Sequence, residues 1–129
     1  MIKAILFDVD GTLVDSSEAH AIFFQRIFQA AGYVVPARED IRKLFHLSMV
    51  DALQILMAGR PASEIEQLVT IANTVVYPAE FQKIPLYSLE VVRKLSKTFS
   101  LAIVTSRRRI GVESYFAVAP LQSHFSTIV

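Results

Sequence analysis

Cysteine is absent from the 129 residues, which excludes disulfides and thiolate metal sites. An excess of charge of either sign is missing too: 13 Lys and Arg stand against 12 Asp and Glu, a formal net charge of +1. So even a balance argues against broad binding of nucleic acid or anionic membrane as the main activity. No apolar run approaches the ~20 residues of a membrane span. The N-terminal apolar stretch is too short for a signal peptide and is interrupted by Asp8 and Asp10. A cytoplasmic protein is therefore expected, without nucleic-acid or membrane partners. A last absence is local: no lysine follows Lys97 and no acidic residue follows Glu113. What the chain has in plenty is apolar content, 53% with a mean hydropathy of +0.43, a level that strands buried on both faces produce. At this length, that of one ordinary domain, the chain can bury a real core.

Residues 4 to 7 form an apolar strand that runs into Asp8, Asp10, Gly11 and Thr12. Asp15 and Glu18 have the spacing of a capping box, so a helix is expected to start there. Its apolar residues recur from Ala19 to Ala31 at helical spacing, and Gly32 supplies a left-handed stop. Further helices are expected over Glu39 to Phe45, over Ser48 to Met57 with Gly59 as its stop, and over Ser63 to Val76, where Ser63 and Glu66 form a second capping box. Pro78 ends that run. The span 16–80 thus reads as one helical module. Ser88 is placed to cap a helix with Leu89, Val92 and Leu95 inward. Leu101 to Val104 is then a strand ending in Thr105 and Ser106, a helix follows over Ile110 to Phe116, and Thr127 to Val129 is a third strand. Strands alternating with helices predict an α/β fold with a doubly wound parallel sheet, built from 1–15 and 81–129, with 16–80 inserted as a helical unit.

In such sheets ligands bind at the carboxyl ends of the strands. Asp8 and Thr105 both lie at such ends. Alternate residues of a strand point the same way, so Asp8 and Asp10 are expected to converge on one small volume suited to a phosphate and a divalent cation.

The run Asp8-Val9-Asp10-Gly11-Thr12 resembles the first motif of the haloacid dehalogenase-like superfamily, and Leu101 to Thr105 resembles its second, an apolar strand ending in Thr or Ser. The module after Asp15 looks like the helical cap of the phosphoglycolate-phosphatase and phosphomutase branch. The resemblance implies a Rossmann-type core and a Mg2+-dependent phosphatase acting on a small phosphorylated metabolite. It makes Asp8 the nucleophile and Asp10 the general acid/base. The Asp8 carboxylate and the Asp10 backbone carbonyl become metal ligands, and Gly11, Thr105 and Ser106 become phosphate-binding positions. Dehalogenases of the superfamily lack the second aspartate, so Asp10 favours phosphoryl chemistry. The branch's mutases hold a second phosphate with a cap lysine and arginine where this chain has Phe45 and Met49, which favours hydrolysis over sugar-phosphate isomerisation. The family's third-motif lysine and fourth-motif acids have no counterpart here. The chain is accordingly expected to be the N-terminal part of a larger enzyme, catalytically deficient alone, with its first strand exposed to self-association.

Other residues carry a functional reading beside an ordinary one. Arg42, Lys43 and His46 fall where the cap's specificity loop belongs, against a solvated helix face. His20 is read as a half-exposed histidine contacting its neighbours, against a substrate or hinge role. The run Arg107 to Arg109 is placed to steer anionic substrates. Phe23, Phe24 and Phe28 are read as core. A receiver domain is disfavoured because Asp51 sits in an amphipathic helical pattern and no late lysine exists. The stronger rival is a non-catalytic phosphate-binding or interaction protein descended from the phosphatase.

Overall fold

Alternation of buried and exposed residues defines the first two strands in a computed structural model that describes residues 1–129. In β1, Ala4–Phe7, Ile5 and Phe7 pack inward while Leu6 stays 66% exposed. In β2, Ser100–Ile103, Leu101 and Ile103 are fully buried. A short β3, Thr127–Ile128, completes a parallel sheet of order β1-β2-β3. The register runs from Ala4 opposite Ser100 to Phe7 opposite Ile103, then Ala102 opposite Thr127. Parallel neighbours need crossovers, which helices supply here, so the expected α/β parallel architecture holds. Burial of the strands on both faces does not. Leu6 of β1 and Ile128 of β3 are exposed, so in this structure one face of the sheet carries the apolar packing.

The chain divides into two units, residues 1–16 with 79–129, and residues 17–78. Each has a core of its own. The sheet unit packs Val9, Leu13, Val14, Leu101 and Ile103 with Val92, Tyr115 and Leu121. Val92 comes from α5, Leu86–Leu95, and Tyr115 from α6, Arg109–Val118. Where the chain leaves and re-enters this unit, a clasp of two backbone bonds closes it: the Asp15 amide donates to the Lys83 carbonyl at 2.9 Å, and the Lys83 amide to the Asp15 carbonyl at 2.9 Å.

The helical unit holds α1, Ser17–Ala31, and α2, Arg38–Lys43, followed by α3, Met49–Leu56, and α4, Ala62–Ala72. Phe23, Phe24, Ile27 and Phe28 of α1 are buried with Ile41, Leu53 and Leu68. Each such side chain contributes ~1.5–3 kcal/mol when removed from water. Gly32 (φ +75°) ends the turn after α1 and Gly59 (φ +84°) follows α3, as the sequence indicated. Both sit in the left-handed region, which costs residues with a Cβ.

Several expected caps are differently built. The Glu18 carboxylate is gripped by Arg38 and Arg42, and α1 starts at Ser17. Pro61 precedes α4 and no side chain caps it, so Ser63 and Glu66 do not form a box, and the helix ends at Ala72 before Pro78. Pro85 likewise precedes α5, and Ser88 lies inside the first turn, its hydroxyl donating to the Pro85 carbonyl at 2.7 Å. Proline pre-sets the φ of a helix start and needs no amide partner there, so it displaces the serines from that position. Ser48, expected only as the start of a helix, caps α3 by accepting from the Asp51 amide at 3.2 Å.

Candidate active site

The loop after β1 is shaped by its backbone. The amides of Leu13 and Val14 donate to the Val9 carbonyl at 2.9 and 3.1 Å, and the Gly11 amide donates to the Val14 carbonyl at 2.8 Å, with Gly11 at φ +74°. Val9, Leu13 and Val14 are buried, so the flanking Asp8 and Asp10 lie toward solvent. Asp8 is exposed and its Oδ1 accepts the Val9 amide at 2.7 Å. The loop after β2 lies beside it. The Val104 amide donates to the Phe7 carbonyl at 2.8 Å, so Asp8 and Thr105 follow directly from paired ends of neighbouring parallel strands.

Thr105 is half-buried. Its amide donates to the Val129 carbonyl at 3.0 Å, and its Oγ1 accepts the Arg107 amide at 3.1 Å in a hydroxyl-closed turn. A hydroxyl has one proton and two acceptor sites, so the Thr105 proton remains for an anion's oxygen. Ser106 is exposed at the tip of this turn.

Asp10 is half-buried, its side chain 30% exposed. Its carboxylate turns to Arg107: Nε donates to Oδ2 at 3.0 Å, Nη2 pairs with Oδ1, and the Ser16 hydroxyl donates to Oδ1 as well. Arg107 therefore does not project as a steering charge. Its side chain is 8% exposed, and Nη1 donates to Gln82 Oε1 at 2.8 Å and to the Gly111 carbonyl at 2.9 Å. Sequence reasoning missed Arg107, Gln82 and Ser16 as parts of this cluster; the one signal available was an arginine run directly after Thr105 and Ser106. Arg109 stands on the exposed surface beside Glu113 at 3.6 Å.

In the helical unit Arg42 is held by Glu18 and Lys43 by Asp40 at 3.0 Å, the latter bond raising the lysine pKa above its ordinary value. His46 is exposed. His20 is half-buried with its ring 4.6 Å from Phe24 and 5.3 Å from Phe45.

For a divalent cation the donor chemistry is hard oxygen: the Asp8 carboxylate and the Asp10 carbonyl. That suits magnesium, which is held by one or two carboxylates and completes its shell with waters and phosphate oxygens. No group of three or more His, Asp or Glu side chains gathers anywhere in the chain.

An Asp-x-Asp-Gly-Thr loop and a Thr-Ser loop stand side by side at the ends of parallel strands in an α/β fold, the arrangement the resemblance implied. The family profile described as haloacid dehalogenase-like hydrolase matches residues 5–129, and the chain belongs to that family. It is 26% identical over 131 aligned positions to a phosphoglycolate phosphatase of Aquifex aeolicus, covering 99% of this chain and 60% of that protein. It is 25% identical to the pyrophosphatase PpaX of Bacillus mycoides, covering 99% of this chain and 59% of the relative. Among solved structures, a subfamily IA, variant 1 hydrolase of this superfamily from Geobacter sulfurreducens superposes with a TM-score of 0.79 at 25% identity, covering 100% of this chain and 63% of that one. The chain thus spans about 60% of the length of the curated relatives it matches. No helix is long and apolar enough to cross a membrane.

Proposed function

We propose that the protein is a magnesium-dependent phosphatase that hydrolyses a small phosphate monoester through an aspartyl phosphate on Asp8. The observation that carries this reading is the placement of Asp8 and Thr105 at the paired carboxyl ends of β1 and β2. The names of its relatives, a phosphoglycolate phosphatase and a pyrophosphatase, both point to hydrolysis at phosphorus, of a monoester in the first and of a phosphoanhydride in the second.

Asp8, exposed and with one oxygen on the Val9 amide, attacks phosphorus with the other oxygen. The P–O bond to the leaving group breaks, and that oxygen takes a proton from Asp10. Water then attacks the same phosphorus, the Asp8–phosphate bond breaks, and the proton lost by water returns to Asp10. One monoester and one water become one alcohol and one inorganic phosphate. The Thr105 hydroxyl and the Ser106 backbone amide hydrogen-bond the phosphoryl oxygens. Magnesium, held by the Asp8 carboxylate and the Asp10 carbonyl, supplies charge neutralisation for the crowded anions.

The helical unit is read as the cap that selects the substrate, with Arg42, Lys43 and His46 as its candidate specificity residues. Phe45 stacks edge-on against His20 rather than offering charge for a second phosphate, which supports hydrolysis over mutase chemistry.

A panel of phosphorylated metabolites assayed on the complete protein with magnesium tests the reading. Asp8→Asn is expected to abolish phosphate release, and Asp10→Asn to leave phosphate binding measurable. Full turnover by Asp8→Asn would end the mechanism.

A further inference from the structure

The best-built polar cluster in the sheet unit is centred on a residue that the mechanism above does not use. Arg107 is buried, and its fork takes both Asp10 oxygens. Its other donors reach Gln82 on the segment that re-enters the sheet unit and the Gly111 carbonyl in the first turn of α6. Gln82 is itself 9% exposed, and its Nε2 is anchored on the Ala79 and Ser114 carbonyls, both at 3.4 Å. The guanidinium is thus held by two partners besides Asp10.

Space is reserved for it as well. A Cβ at Gly111 would lie 2.7 Å from Arg107 Cγ and 2.9 Å from Cδ, closer than carbon atoms approach. Those atoms are the root of the side chain, so the whole arginine would have to move. Glycine inside a helix costs ~0.5–1 kcal/mol relative to alanine, and here the missing Cβ is what admits the arginine.

A bidentate fork sets the plane and direction of a carboxylate, which a lysine's point charge does not. We propose that Arg107 is a positioning residue for Asp10: seated in the Gly111 and Gln82 socket, it fixes the carboxylate that exchanges a proton with the leaving group. This rests on the phosphatase reading. Arg107 touches neither phosphate nor leaving group and exchanges no proton itself.

Misplacing a reacting group by about 1 Å costs on the order of 10²-fold, and general acid catalysis supplies roughly 10²–10⁴-fold. The loss therefore depends on how much the leaving oxygen needs a proton. Glycerol 2-phosphate departs as an alkoxide and needs one; p-nitrophenyl phosphate departs as a stabilised phenolate and needs little. With the complete protein and magnesium, kcat/KM on the two esters is measured for wild type, Arg107→Gln, Arg107→Lys and Gly111→Ala. Arg107→Gln and Gly111→Ala are expected to lower the ratio of glycerol 2-phosphate to p-nitrophenyl phosphate turnover by at least about tenfold. Gly111→Ala keeps every charge and improves helix propensity, so it separates positioning from folding. Arg107→Lys is expected to keep the ratio low. An equal fall on both esters, an unchanged ratio, or full recovery with lysine would overturn the proposal. A wild type that releases phosphate from neither ester would instead refute the phosphatase reading, and this inference with it.

Discussion

Tyr115 is the largest fully buried side chain, and its hydroxyl has no hydrogen-bond partner. An unsatisfied buried hydroxyl costs ~1–3 kcal/mol. Tyr115→Phe removes that oxygen and keeps the ring against Phe116, 5.3 Å away, so stability at neutral pH is expected to rise by about 1 kcal/mol. The same hydroxyl makes the alkaline limb of stability predictable. Burial pushes its pKa from 10.0 up to about 12, against a smaller opposing pull from the Arg107 charge. Between those values the unfolded chain has lost the proton that the folded chain retains. Stability is therefore intact below pH 10 and falls as pH rises toward 12, by roughly 2 kcal/mol from this group. Urea unfolding of wild type and Tyr115→Phe at pH 7 and across pH 9 to 12 isolates the effect as a difference, since the other lysines and tyrosines titrate in both. The two curves are expected to diverge above pH 10. Parallel curves, or a loss of more than about 1 kcal/mol at pH 7, would show that the hydroxyl is satisfied in solution and would refute the reasoning.

Gly32→Ala, at φ +75° with open space around it, is expected to cost about 1 kcal/mol purely through the left-handed backbone, and Gly32→Asn less; thermal unfolding of the chain measures both. β1 is an edge strand with Leu6 66% exposed, and Ile2 just before it is 71% exposed, so the 129-residue chain is expected to self-associate and Leu6→Lys to reduce it. Light scattering over a concentration series decides that, and a wild-type chain monomeric at high concentration would exclude the edge as a contact.

Strand and helix existence was legible because the signals are local: continuous apolar runs at residues 4–7 and 101–104, a period near 3.6 along α1, glycines where φ turns positive. Helix starts were less so. Ser63 and Ser88 have the right chemistry for an N-cap, yet a proline two or three positions earlier already holds the φ a first turn needs. Two-sided strand burial was inferred from apolar content, which cannot distinguish a covered face from a bare one. At the site, Asp8 and Thr105 could be placed at neighbouring strand ends from motif and topology alone. The partner of Asp10 could not. It stands 97 positions away, and an arginine after a strand looks the same in sequence whether it turns outward or into a socket that a glycine four residues on has left open.

The clasp between Asp15 and Lys83 gives the insertion a particular thermodynamic standing. Two main-chain bonds fix the points where the chain departs and returns, and they depend on no side chain of the intervening segment. To the sheet unit, that segment is a loop whose ends are already joined. The entropy of closing a loop grows only logarithmically, so doubling its length adds ~0.6 kcal/mol. A unit that carries its own core between such ends can be lengthened, shortened or exchanged at small cost to the strands that present Asp8 and Thr105. Changes in the inserted helices and in the loops after β1 and β2 are thereby decoupled, and a circularly permuted or helix-swapped variant cut on the far side of the clasp has a built-in point of rejoining.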